Sequence, residues 1–454
     1  MSIKSINPAT GEEIYSFEQF TDAELMRKLG KADNAFAGWK NSSYQKRADL
    51  LLEAAKYLET NKIDLGREMT LEMGKPIKQA IAEVEKCAWL CKYYAENGER
   101  FLQPVEYKTS YSKSGAEMRP LGIIYAIMPW NFPFWQVFRC AVPAMMAGNA
   151  VALKHAENVS NCAQLIERVF TESGFPDGVF TTLLIDHTQS AKVIRYEGVQ
   201  GISLTGSELA GKTVASLAGK QIKRTVMELG GSDPFIVLKD ADIAKAASTG
   251  VDARMQNNGQ SCIAAKRFIL EKEIADEFIS LFVEKVESLH IGDPIEEDTE
   301  IGPLARKDLR EKLDGQVKDT VKKGAKIITG GEVPLGRGWY YPPTVMSNIP
   351  KDSVAFKEEL FGPVASMFVV RNEEEAIQLA NATDFGLGAS LWTKDVEKAE
   401  SMAVQIQSGS IYINTMVVSN QALPFGGVKA SGYGRELSDV GIHEFVNIQT
   451  VVVA

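Results

Sequence analysis

No stretch of the 454-residue sequence reaches the ~18 consecutive apolar residues that a membrane-spanning helix requires. Residues 1 to 8 also lack the apolar core of a secretory signal, so a cytoplasmic protein with no membrane partner is expected. Cysteine is scarce. The five present are an odd number spread over a long chain, which excludes a disulfide framework and fits a reducing compartment. Cys87 and Cys91 lie four apart in an expected helix, but no second pair and no nearby histidine accompany them. They read as buried apolar thiols rather than as metal ligands. The four histidines, His155, His187, His290 and His443, are scattered, and neither a metal centre nor an acid–base role is expected of them. Acidic groups outnumber basic ones, 59 to 50, for a net charge of −9 without a dense Lys/Arg cluster, which excludes nucleic acid as a natural partner. There is no internal repeat and no low-complexity tract. No Gly-x-Gly-x-x-Gly follows a strand in the first half; Gly432-Tyr433-Gly434 comes too late and runs on into Arg435-Glu436, so a standard Rossmann phosphate loop is not expected.

What remains is the pattern of a soluble α/β protein, 45% hydrophobic and 24% charged, too long for one core. Residues 22 to 100 read as amphipathic helices; Arg47, Leu50, Leu51, Ala54 and Leu58 recur at the three/four spacing of one face. Residues 105 to 118 alternate and are rich in Tyr, Ser and Thr, as in a hairpin or edge strands. From Leu121 short apolar runs alternate with helical stretches. Strands are expected at 122–128, 150–154, 181–185, 201–205 and 225–229, with helices at 162–173 and 208–218 between them. That order is the signature of a doubly wound parallel sheet. A second alternation runs from Pro234 to about Asn414, with strands expected at 235–238, 267–270, 326–329 and 410–414. The apolar, β-branched segment 448–453 would be a sticky edge if left alone, so it is expected to pair with another subunit.

Three residues carry the chemistry. Cys262 ends the polar, glycine-containing run Gln256-Asn257-Asn258-Gly259-Gln260-Ser261, surroundings unlike those of an inert core cysteine. Glu228 precedes Leu229-Gly230-Gly231, where glycines let other groups approach the backbone closely. A thiol nucleophile and a carboxylate base together can form and then hydrolyse a covalent adduct with a carbonyl compound. Asn131, in Pro129-Trp130-Asn131-Phe132-Pro133 between a strand and a helix, offers an amide where an oxyanion would develop, with the Cys262 backbone N–H as second donor. Read alone, Asn131 would be a turn residue in an X-Pro segment.

These motifs, in this order, resemble the aldehyde dehydrogenase superfamily, and the resemblance covers residues 3 to 454. Further matching segments are 342–344, 358–363 and 424–436. Many relatives have Lys where Ser232 follows the glycine pair, and Pro where His155 follows Lys154. Lys154-His155-Ala156 and Gly230-Gly231-Ser232-Asp233-Pro234 are similar to the branch of NAD(P)-dependent succinate-semialdehyde dehydrogenases. The resemblance implies two doubly wound α/β domains: an NAD(P)-binding domain (1–106 and 121–230) and a catalytic thiol domain (231–428). A small β oligomerisation element (107–120 and 429–454) completes them, in a homodimer or homotetramer.

It also implies a site. Lys154 and Glu157 hold the adenosine ribose, Gly206 and Ser207 the pyrophosphate at a helix N-terminus, and Glu359 the nicotinamide ribose, with Trp130 and Phe361 beside them. Glu157 would repel a 2′-phosphate, so NAD is the expected cofactor and NADP the second. On the substrate side stand Trp135 and Arg139, on the helix after Asn131, and Ser419. Arg139 sits in an apolar run and needs an anion, either an internal Asp or Glu or a substrate carboxylate. The expected reaction is oxidation of succinate semialdehyde through a cysteine thiohemiacetal and thioester. Lactaldehyde and glutarate semialdehyde are alternatives. A CoA-acylating relative typically lacks the base that Glu228 supplies, and a non-catalytic structural protein is opposed by the presence of all three catalytic residues.

Overall fold

The computed structural model describes residues 2–454. Three long helices follow an N-terminal hairpin, Ser2–Ile6 against Glu13–Glu18. Thr21 starts the first, Asp22–Trp39, with a reciprocal cap: its hydroxyl accepts from the Glu24 N–H at 3.2 Å and its own N–H donates to the Glu24 carboxylate at 2.7 Å. Ser43 caps Tyr44–Met73, which buries Arg47, Leu51, Ala54 and Leu58 on the face read from the sequence and ends at left-handed Gly74. The third, Ile77–Phe101, positions the site. Its buried Glu83 accepts the backbone N–H groups of Phe134 and Trp135, both at 2.9 Å, and so anchors the start of the helix Trp135–Met146 immediately after Asn131.

The first large sheet has six strands in the order Gly432–Tyr433, Arg224–Glu228, Val199–Thr205, Ile123–Met128, Ala150–His155, Phe180–Thr182, all parallel except the first. Its central strands are apolar without alternation because helices cover both faces. Parallel pairing brings Met128, Thr205 and Glu228, the last residues of three strands, to one end of the sheet, so Trp130–Asn131, Gly206–Ser207 and Leu229–Gly231 gather there. The second sheet has seven strands: Lys326–Thr329, Thr344–Ser347, Val364–Val370, Ala265–Glu271, Asp233–Val237, Gly388–Trp392 and Ser410–Ile413, parallel apart from the first pair. The loop before Ala265–Glu271 carries Cys262. A third, antiparallel sheet pairs Val446–Val453 with Lys113–Pro120, which also pairs with Val105–Glu106.

Several expectations are corrected. Residues 181–185 form only the short strand Phe180–Thr182. Strands Thr344–Ser347, Val364–Val370 and Gly388–Trp392 and the N-terminal hairpin were not read from the sequence. Gly432–Tyr433 joins the six-stranded sheet beside Glu228, although residues 429–454 were grouped with the small β element. Among the described residues Val446–Val453 has one partner strand and its other edge is unpaired, with Ile448, Val451, Val452 and Val453 exposed. Among the described residues no helix is long and apolar enough to cross a membrane.

Candidate active site

The loop carrying Cys262 is fixed from below. Asn257, Asn258 and Gly259 take three successive left-handed conformations, at φ 53°, 57° and 72°, which Asn and Gly tolerate best. A side chain at Gly259 would run into the backbone of Gly362 and Pro363. Asn258 donates to Gly74 O (2.9 Å) and Pro303 O (3.0 Å) and accepts from Gly302 N (2.8 Å). The Arg254 guanidinium ties the loop carbonyl of Gly259 to those of Leu360 and Gly362. Lys266 donates to the carbonyls of Ser261 (2.8 Å) and Cys262 (2.7 Å) and pairs with Glu359 at 3.1 Å. All five cysteines are free, and Cys262 alone among them is not fully buried. Burial, and then the negative charge of nearby Glu228, push its thiol pKa well up. The resting group is therefore a thiol.

Asn131 is placed by three bonds. Its side-chain N–H donates to Gln260 O at 3.0 Å, its side-chain oxygen accepts from Gln136 at 3.1 Å, and its carbonyl accepts from Asn257 at 2.7 Å. An amide nitrogen has two hydrogens, so one remains for an oxyanion. Asn131 and Cys262 share the wall of a cleft of about 690 Å³.

Glu228 lies behind that wall, 1% exposed, with neither carboxylate oxygen hydrogen-bonded. Burial raises its pKa to about 8; the Arg139 guanidinium pulls it down and Glu436 pushes it up. Arg139 Nη2 is 3.9 Å from Glu228 Oε2, and Arg139 Nε is 3.0 Å from Glu436 Oε2. These atoms lack hydrogen-bond alignment, so the contacts are charge pairing. Arg139 thus meets internal anions, one of the two partners that the sequence left open for it, and Phe425 lies against it at 4.6 Å. Trp135 and Ser419 do come together, the indole N–H donating to Ser419 Oγ at 2.8 Å. Lys86, unnoticed in the sequence, donates to the same oxygen at 3.0 Å and lies 4.2 Å from the Trp135 ring centre.

Of the dinucleotide candidates, Trp130, Gly206, Ser207, Glu359 and Phe361 line the cleft with Cys262. Trp130 and Phe361 meet edge to face at 5.7 Å. Ser207 caps the helix Glu208–Gly219, whose N-terminus faces the cleft and suits a pyrophosphate. Lys212, Lys312 and Lys357, missed in the sequence, add positive charge to the cleft lining. Glu359 is turned inward, accepting from Gly231 N at 3.1 Å as well as pairing with Lys266. Lys154 and Glu157 are not in the cleft lining; they follow one another at the end of Ala150–His155, Lys154 buried and Glu157 exposed. Glu157 counters the effect of burial on the Lys154 ammonium, whose pKa is lowered. The residues present fit a nicotinamide dinucleotide. Among the described residues no cluster of His, Cys, Asp or Glu has the makings of a metal site.

Similarity to known proteins runs along the whole chain. The model of the aldehyde dehydrogenase family matches residues 1–451. The probable succinate-semialdehyde dehydrogenase [NADP(+)] of Synechocystis sp. is 48% identical over 454 residues, all of both chains. Succinate-semialdehyde dehydrogenase [NADP(+)] 1 of Mycobacterium bovis is 48% identical over 457 residues, again all of both. The crystal structure of succinic semialdehyde dehydrogenase from Streptococcus pyogenes, in complex with NADP+, superposes with a TM-score of 0.97 at 35% identity over 99% of each chain. Matched by the family's model over residues 1–451 and by full-length relatives at 48% identity, this chain belongs to the aldehyde dehydrogenase family.

Proposed function

We propose that this protein oxidises a short ω-carboxy aldehyde, succinate semialdehyde first, to the carboxylate with a nicotinamide dinucleotide. One juxtaposition carries the reading: the Cys262 thiol beside an Asn131 amide with a spare N–H, and behind both a buried Glu228 whose pKa lies near 8. The full-length relatives named for succinate semialdehyde support the choice of substrate.

In the proposed sequence the Cys262 thiol gives up its proton to water and its sulfur adds to the aldehyde carbon, the oxygen taking up negative charge against Asn131 and the Cys262 backbone N–H. A nicotinamide dinucleotide held by Trp130, Gly206, Ser207, Glu359 and Phe361 would supply the hydride acceptor for that carbon. The acyl group is left as a thioester on Cys262. Glu228 takes a proton from water, which adds to the thioester and releases the acid and the thiol. A pKa near 8 keeps a useful fraction of Glu228 ionised at neutral pH.

Glu157 favours NAD over NADP, because its carboxylate accepts from ribose hydroxyls and repels a 2′-phosphate. The NADP(+) in the relatives' names is the competing expectation, and a cofactor comparison decides between them. Residues 107–120 and Val446–Val453 form the assembly element of a homodimer or homotetramer, the exposed apolar strand edge meeting a second copy. The five unpaired thiols suit the cytoplasm.

The test is absorbance of the reduced nicotinamide with succinate semialdehyde, with and without CoA. Succinate should form at a rate that CoA leaves unaltered. A product that requires CoA would move release from water to a thiol and remove the role given to Glu228.

A further inference from the structure

Lys266, at the start of the strand Ala265–Glu271, reaches back into the loop before it. Its nitrogen lies 2.8 Å from Ser261 O, 2.7 Å from Cys262 O and 3.1 Å from Glu359 Oε1. All three neighbours are acceptors. An ammonium has three hydrogens to meet them and a neutral amine only two. The group is therefore the charged form, although burial lowers its pKa. Glu359 Oε1 also accepts from Gly231 N at 3.1 Å, so the same cation joins the Cys262 loop to the run that follows Glu228.

The bond to Ser261 O has a chemical consequence. The Ser261 carbonyl and the Cys262 N–H belong to one planar trans peptide and point in opposite directions. A cation that fixes the carbonyl fixes the N–H on its far side. It also draws electron density toward the carbonyl oxygen, which makes that N–H a stronger donor. The Cys262 N–H gives no hydrogen bond to a backbone carbonyl among the described residues, and Cys262 lines the cleft with Asn131. On the Asn131 side a matching brace is present: Gln136 donates to Asn131 Oδ1 at 3.1 Å and so keeps the amide nitrogen turned the other way.

We propose that Lys266 is a positioning residue of the oxyanion site, aiming and polarising the Cys262 N–H through the Ser261–Cys262 peptide. This rests on the reading above in which that N–H is the second oxyanion donor. Lys266 acts through one peptide plane and not by contact with the aldehyde. Its charge stands behind the donor, where negative charge developing on the aldehyde oxygen strengthens the pull.

The experiment measures the burst of reduced nicotinamide with succinate semialdehyde at saturating dinucleotide, so that a change in cofactor affinity drops out. Lys266→Met should slow the burst about 10- to 100-fold, less than the loss of a whole donor, and leave the KM of the aldehyde nearly unaltered. Lys266→Arg, which keeps the charge, should recover much of the rate. Glu359→Gln, which leaves both carbonyls gripped, should change the KM of the dinucleotide far more than the burst. A Lys266→Met burst as fast as wild type overturns the proposal. So does a Glu359→Gln burst slowed as much as that of Lys266→Met, which would route the effect through the carboxylate.

A second readout follows the bond itself. In the Glu228→Gln background the thioester accumulates, and infrared difference spectra with aldehyde isotope-labelled at its carbonyl carbon isolate the C=O stretch. Adding Lys266→Met, or Lys266→Gln should the first chain fail to fold, should move that band to higher wavenumber, because a weaker donor polarises the carbonyl less. An unmoved band overturns the proposal. A wild type without any burst would refute the dehydrogenase reading itself, before a variant is compared.

Discussion

Arg139 and Glu436 face each other inside the protein, guanidinium Nε to carboxylate Oε2 at 3.0 Å, each with almost no access to solvent. The pair adjoins a second carboxylate: the same guanidinium reaches to 3.9 Å of Glu228. Arg139 stabilises the ionised form of Glu228, and Glu436 opposes it.

Opposite pH effects follow. Activity that needs ionised Glu228 should rise through about pH 8. Glu436→Gln removes a negative neighbour, lowers the Glu228 pKa and moves the rise to lower pH. Arg139→Met removes the positive one and moves it to higher pH. It also leaves Glu436 buried without its partner, at a cost of about 3–5 kcal/mol in urea unfolding. Profiles of kcat against pH that shift in the same direction for both variants would contradict the arrangement.

The thiol and the oxyanion donor separate cleanly. Cys262→Ala should abolish dehydrogenase turnover while dinucleotide binding, followed by fluorescence, stays close to wild type. Asn131→Ala keeps the thiol and loses one donor, for about 10²- to 10³-fold in kcat. A change confined to KM would assign the amide to substrate binding.

Glu228→Gln should still give a burst of reduced cofactor of about one per site, then turn over slowly, because acylation precedes the need for the base. Rapid-mixing absorbance reads both phases. Loss of the burst would put Glu228 earlier, in activation of the Cys262 thiol, whose pKa its charge raises.

For the cofactor, wild type should favour NAD over NADP by at least about tenfold in kcat/KM, since like charges at ~4 Å and an effective dielectric of ~20 cost about 4 kcal/mol before Lys154 recovers part. Glu157→Ser should narrow or reverse the ratio. A wild-type preference for NADP would mean that Lys154 dominates that pocket and Glu157 turns out to solvent.

The sequence exposed what is local. Cys262 and Glu228 each sit in a short run whose glycines and polar neighbours have a chemical reason, and the buried face of the helix after Ser43 shows in the spacing of Arg47, Leu51, Ala54 and Leu58. It hid what is distant. Lys86 and Ser419 are 333 residues apart, and nothing near Lys86 sets it apart from any helix-surface lysine. Arg139 was identified as needing an anion, but Glu436 as that anion depends on how Gly432–Tyr433 is threaded beside Glu228. Thr344–Ser347 and Gly388–Trp392 escaped notice because strands so short carry little pattern.

The antiparallel pairing of Val446–Val453 with Lys113–Pro120 bears on synthesis. The Ser112 hydroxyl and the Val453 carbonyl that meet at its end are separated by 341 residues. A ribosome releases the strand Lys113–Pro120 long before its partner exists, and the stretch that completes this sheet also brings Glu436 to Arg139 and Gly432–Tyr433 to the edge beside the base. A nascent chain therefore completes this sheet and the charge surroundings of Glu228 in the same late interval. Prematurely terminated chains would lack both.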